Sequence, residues 1–76
     1  MPTLDQLKVG QQASIEAVQG NDSMMQRLLE MGLLDGVPIE VVGIAPLGDP
    51  MEIRLRDYRL SLRRSEAARI TVALRP

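Results

Sequence analysis

The chain has 76 residues, no cysteine, no histidine and a net charge of −1. A chain of that length makes one small domain, residues 1–76, with a marginal core, since it buries only about 60% of its unfolded surface. The composition excludes disulfide staples and the commonest zinc and haem ligands, and with Tyr58 as its one aromatic it leaves almost no base stacking.

The opening MPTLDQLKVG has neither a basic n-region nor an apolar h-region, so no secretory signal is read there. No apolar run approaches the roughly 20 residues of a membrane span. Together with the missing cysteines this predicts a cytoplasmic domain in a reducing compartment, with no direct membrane insertion. Leu4 and Leu7 predict one apolar turn, with Thr3 as its cap and Gln6 three residues on. After Gly10, the alternation of Ala13, Ile15 and Ala17 predicts a strand that stops at Gly20-Asn21-Asp22.

DSMMQRLLEMG predicts a helix. Asn21, Asp22 or Ser23 can serve as its N-cap. Met24, Met25, Leu28, Leu29 and Met31 share one broad apolar face. Gly32 suits the left-handed position past the helix end, from which Leu33 can fold back on the last turn. After Asp35-Gly36 a strand resumes, with Ile39 and Val41 on one side and Val42 and Ile44 on the other. That strand is either apolar on both faces or bulged near Gly43. Pro46 and Pro50 bracket a tight loop.

MEIRLRDYRLSLRR predicts a hairpin turning at Arg56-Asp57. A two-residue turn there sets Leu55 opposite Tyr58, Ile53 opposite Leu60 and Met51 opposite Leu62, which puts every apolar residue on one face. Asp57 is expected to take the left-handed conformation the turn needs. The same register sets Arg54 against Arg59, a like-charge pair that Glu52 relieves only diagonally. SEAA predicts one helical turn capped by Ser65, and RITVAL a last strand with Ile70 and Val72 inward. The whole reads as mainly β, a small closed or nearly closed barrel of about five strands.

Charge is divided along the chain. Residues 1–53 carry two basic and eight acidic side chains; residues 54–76 carry seven arginines and two acidic residues. One basic face is therefore offered to an acidic partner or paired internally. The five methionines lack the cysteine or histidine a soft-metal site would use, and at helical spacing they read as core filler. No serine has a histidine to serve as its base, and no glycine-rich phosphate loop occurs. The chain is predicted to be neither an enzyme nor a holder of a metal or cofactor.

RLLEMGLLDGVPIEVVGIAPLGDPMEIRLRDYRLSLRRSEAARITV resembles the FeoA family, the small ferrous iron transport protein A of bacteria. The resemblance runs from Leu4 to Val72. It rests on Arg27-Leu28, Met31-Gly32-Leu33, Gly36, the run Ala45 to Pro50, and Ile53, Arg54, Tyr58, Leu60, Leu62-Arg63 and Ser65-Glu66-Ala67. Asp57 departs from the glycine usual there. The resemblance implies an SH3-like β-barrel and an accessory role in Fe(II) uptake, through binding FeoB, a membrane transporter with a cytosolic G-domain. Two alternatives stand beside it: a regulatory module docking on an iron-dependent repressor, and a nucleic-acid-binding barrel. The single aromatic and the acidic balance speak against nucleic acid. The partner contacts expected are Arg27, Met31 and Leu33 at the helix end, Leu47 on the proline loop, and the row Arg54, Arg59 and Arg63. For any one arginine the plainer role is a solvated, internally paired side chain. For Met31 and Leu33 it is to finish the core. Reversing Arg54 and Arg59 to Glu is expected to weaken partner binding and leave the fold intact.

Overall fold

The computed structural model describes residues 2–75. A 3-10 turn over Leu4–Gln6 leads into β1 (Gln12–Val18), α1 (Ser23–Glu30), β2 (Pro38–Ile44), β3 (Met51–Leu55), β4 (Tyr58–Leu62), α2 (Arg64–Ala67) and β5 (Ile70–Leu74). The five strands form one antiparallel sheet in the order β4-β3-β2-β1-β5. The sheet curls around its core but does not close: β4 and β5 are its two ends. The free edge of β5 is covered instead by the chain start, where the Val72 N–H donates to the Pro2 carbonyl and Thr3 bridges Thr71. One edge is thus managed without closure.

The core is aliphatic. Leu4, Leu28, Leu33, Val41, Met51, Ile53, Leu62, Ile70 and Val72 are fully buried. The hairpin register is the expected one, with Leu55 opposite Tyr58, Ile53 opposite Leu60 and Met51 opposite Leu62. In β2 the bulge falls between Val41 and Gly43. The extra residue turns Ile44 back against the core. A second bulge, between Ile15 and Ala17, interrupts the simple alternation of β1 and brings Val18 against the core.

Helix α1 is bounded as its sequence predicts. Asp22 is the N-cap, its side chain accepting the Met25 N–H at 3.3 Å. At the other end the Gly32 N–H reaches the Leu29 carbonyl and the Leu33 N–H reaches the Leu28 carbonyl. This is a Schellman ending, with Gly32 at φ 98° and buried Leu33 packed over buried Leu28. The buried stripe is narrower than the five-residue face. Only Leu28 is fully buried, flanked by Met24 and Met31 packed against the core, so the eight-residue helix and its C-cap touch the core along i, i+4, i+7.

Two local expectations change. α2 begins at Arg64, not after a Ser65 cap. The Arg63 backbone N–H is instead satisfied by the Glu66 carboxylate at 2.8 Å; a guanidinium has no acceptor to return the favour. In the β3–β4 turn the left-handed residue is Arg56, at φ 51°, and not Asp57. A non-glycine residue held there costs about 1–2 kcal/mol, and glycine recovers that less its own greater freedom when unfolded. Arg56→Gly is therefore expected to stabilise the fold by about 0.5–1 kcal/mol, read as a thermal midpoint raised by a few degrees. A lower midpoint would mean that the Arg56 side chain contributes more than its backbone costs.

Candidate partner-binding surface

The outer faces of β2, β3 and β4 carry the charge. Arg54 stands opposite Glu40 on one side and Arg59 on the other. It is ion-paired with Glu40, so part of the expected repulsion is relieved within the sheet. Arg59 lies 3.8 Å from the Glu52 carboxylate, on the diagonal. Both pairs are solvent-facing, of the kind that contributes about 0–1 kcal/mol. Among the described residues the Arg63 guanidinium has no carboxylate within ion-pair distance. Arg54, Arg59 and Arg63 are all exposed. Because Glu40 faces Arg54, reversing Arg54 would set two carboxylates against each other, so this reversal does not spare the fold.

A shallow groove of about 220 Å³ opens beside this row, lined by Arg54, Arg56 and Arg75 together with Gln12 and Glu40. No local pattern in the sequence announces this gathering. It depends on the β2–β3 register and on where the last strand ends, and neither can be read from local spacing.

The helix end divides. Arg27 is largely exposed, and its guanidinium pairs with Glu66 at 3.0 Å. Met31 is half-buried against the core. Leu33 is fully buried and offers a partner nothing, since the Schellman ending turns its side chain inward. The exposed apolar residue is its neighbour Leu34, which with Tyr58, Val37 and Leu55 lines a groove of about 200 Å³ against the hairpin turn. The Tyr58 hydroxyl donates to the Met31 carbonyl, joining hairpin and helix end. A Cβ on Gly32 would lie 2.8 Å from that hydroxyl, so a side chain there would have to push Tyr58 off the Met31 carbonyl in addition to the strain of φ 98°.

Leu47 is 96% exposed at the tip of the proline loop. The loop beneath it is fixed. Arg64 donates to the Gly48 carbonyl at 3.0 Å and to the Asp5 carbonyl at 2.9 Å, and the Arg64 N–H reaches the Asp49 carboxylate at 3.1 Å. On the opposite flank Arg69 donates to Asp22 at 2.6 Å. That hydrogen bond, and then the Met25 N–H, hold the Asp22 carboxyl below its ordinary value; Asp22 in turn raises Arg69. Among the described residues no three acidic side chains gather as a metal site would need. Nor is any helix of the described residues long and apolar enough to cross a membrane.

The family model described as FeoA domain matches residues 3–74. A curated relative, the Fe(2+) transport protein A/Fe(2+) transporter FeoB fusion protein of Porphyromonas gingivalis (strain ATCC BAA-308 / W83), is 48% identical over 71 residues. Those residues are 93% of this chain and only 8% of the relative's length. The solution structure of FeoA from Chlorobium tepidum matches with a TM-score of 0.88 and 37% identity, over 96% of this chain and 70% of that one. The zinc-complexed crystal structure of FeoA from Stenotrophomonas maltophilia, an SH3 domain protein, matches with a TM-score of 0.84 and 34% identity, over 95% of this chain and 89% of that one. The strand arrangement is accordingly SH3-like, with an open rather than a closed sheet.

Proposed function

The chain belongs to the FeoA family, and from that premise we propose that it is a cytoplasmic accessory of bacterial ferrous iron uptake. It binds a FeoB-like membrane transporter through protein–protein contacts and modulates its cycle. The observation that carries this reading is the fused relative, in which one polypeptide joins an A-like segment to the transporter. Fusion replaces a bimolecular encounter by a high effective concentration, which is useful only where the two parts act on one another. The surface is suited to that work. It presents exposed arginines for an acidic counterpart, and apolar Leu34, Tyr58 and Leu47 beside them.

The test is calorimetric titration of this protein into the isolated cytosolic part of the transporter, with and without guanine nucleotide. Saturable binding that changes with the nucleotide state is expected. No binding at low ionic strength in either state would overturn the reading.

A further inference from the structure

We propose that the open edge of β4 receives an extended acidic segment of the partner as a sixth strand. The inference deepens the protein-binding reading and rests on it. The sheet's two ends are treated differently. β5 is covered by Pro2 and Thr3, whereas among the described residues β4 pairs with β3 alone. The two-residue turn closes on the Leu55–Tyr58 pair, so Tyr58, Leu60 and Leu62 exchange their main-chain bonds with β3. The N–H and C=O groups of Arg59 and Ser61 therefore point away from the sheet. No other main-chain hydrogen bond among the described residues uses them, and both residues are exposed. Such an edge is a template for strand addition.

Charge selects the occupant. Residues 56–64 hold Arg56, Arg59, Arg63 and Arg64 against Asp57, a net +3 in a chain whose total is −1. A second copy would bring two such edges together. Antiparallel pairing along the length of β4 sets Arg59 opposite Arg59, Ser61 or Arg63; two of these registers face arginine with arginine, and the third, although it sets Asp57 opposite Arg63, still opposes the two net charges. An acidic strand meets the opposite field. The side-chain rows then dictate its pattern. Opposite Arg63, Leu62, Ser61, Leu60, Arg59 and Tyr58 it reads acidic, apolar, polar, apolar, acidic, apolar. The apolar members lie beside half-buried Leu60 and the exposed ring of Tyr58.

The probe is the acetylated, amidated peptide Glu-Val-Thr-Val-Glu-Val, titrated into the full chain and followed by amide resonances. Saturable shifts and slowed hydrogen exchange at Arg59 and Ser61 are expected. N-methylation of the peptide's threonine and second glutamate, which removes the two N–H groups aimed at the edge, is expected to weaken binding at least about tenfold. Ser61→Pro removes an outward N–H that no strand of this chain uses, and is expected to do the same. The methylated peptide carries the test alone if that variant does not fold. Equal binding of the methylated peptide, or shifts confined to the groove lined by Arg54, Arg56 and Arg75, would overturn the proposal. So would a dimer, seen by sedimentation, that the peptide does not displace. Because the peptide replaces the transporter, any of these results leaves the transporter titration standing as a separate question.

Discussion

Glu66→Ala lowers the stability of the domain by about 2–3 kcal/mol, the largest loss expected of any single charged residue in the chain. Glu66 is the one buried charged residue of the described core, 5% exposed. Its carboxylate holds two groups at once: the Arg63 N–H at 2.8 Å and the Arg27 guanidinium at 3.0 Å. Truncation strands the Arg63 N–H at the start of α2 and opens a space beside buried Ala67. The ion pair itself supplies the smaller share, because the Arg27 side chain is 67% exposed and well screened. Glu66→Gln keeps an acceptor for the Arg63 N–H and is expected to cost about half as much. Arg27→Ala is expected to cost under about 1 kcal/mol. Urea unfolding of the three variants checks this order. If Arg27→Ala proves as damaging as Glu66→Ala, the pair and not the cap holds α1 to α2. At about 4–8 °C of thermal midpoint per kcal/mol for a domain this small, the alanine variant melts roughly 10–20 °C below the parent.

Glu66 also marks what the sequence could and could not convey. The hairpin was legible to the residue, because its period-two pattern and a two-residue turn leave a single register that keeps Met51, Ile53, Leu55, Leu60 and Leu62 on one face. Helix α1 was legible at both ends, because Asp22 and Gly32 act through local backbone chemistry. Long-range partners were not. Arg54 meets Glu40 only because β2 pairs with β3 across a six-residue proline loop and a bulge, which together offset the count by one. Glu66 meets Arg27 across 39 residues, a contact that no local spacing encodes. Of the two readings open to Leu33, partner contact and core, its burial favours the core: the Schellman ending turns it inward and leaves its neighbour Leu34 exposed. The left-handed residue of the hairpin moved from Asp57 to Arg56 because the turn makes its demand at its first position, whatever the residue's preference. The five-strand SH3-like architecture was legible, but whether the sheet closes was not, because closure is only one way to remove an edge: here Pro2 and Thr3 cover β5, and among the described residues β4 pairs with β3 alone.

These placements decide which arginines are worth reversing. Arg54 is committed to Glu40, and Arg27 to Glu66, so reversing either sets two carboxylates together and disturbs the fold together with the surface. Arg59 is held only diagonally by Glu52, 3.8 Å away, and Arg63 by no carboxylate among the described residues. The double reversal Arg59→Glu with Arg63→Glu is therefore expected to fold with an unchanged thermal midpoint within a few degrees. It is expected to lose at least about 100-fold in affinity for the transporter's cytosolic part at low salt, roughly tenfold for each charge turned against an acidic counterpart. The remaining affinity should depend less on salt than the parent's, since the screened attraction is what has been removed. Lys8→Glu, a reversal on the exposed segment before β1, changes the net charge without touching this face, and it separates the local effect from a general one. Leu47→Ser probes the other group of contacts on its own. If the double reversal binds like the parent while Leu47→Ser does not, the contact lies on the proline loop, and Arg59 and Arg63 are the solvated side chains that either of them, taken singly, would be expected to be.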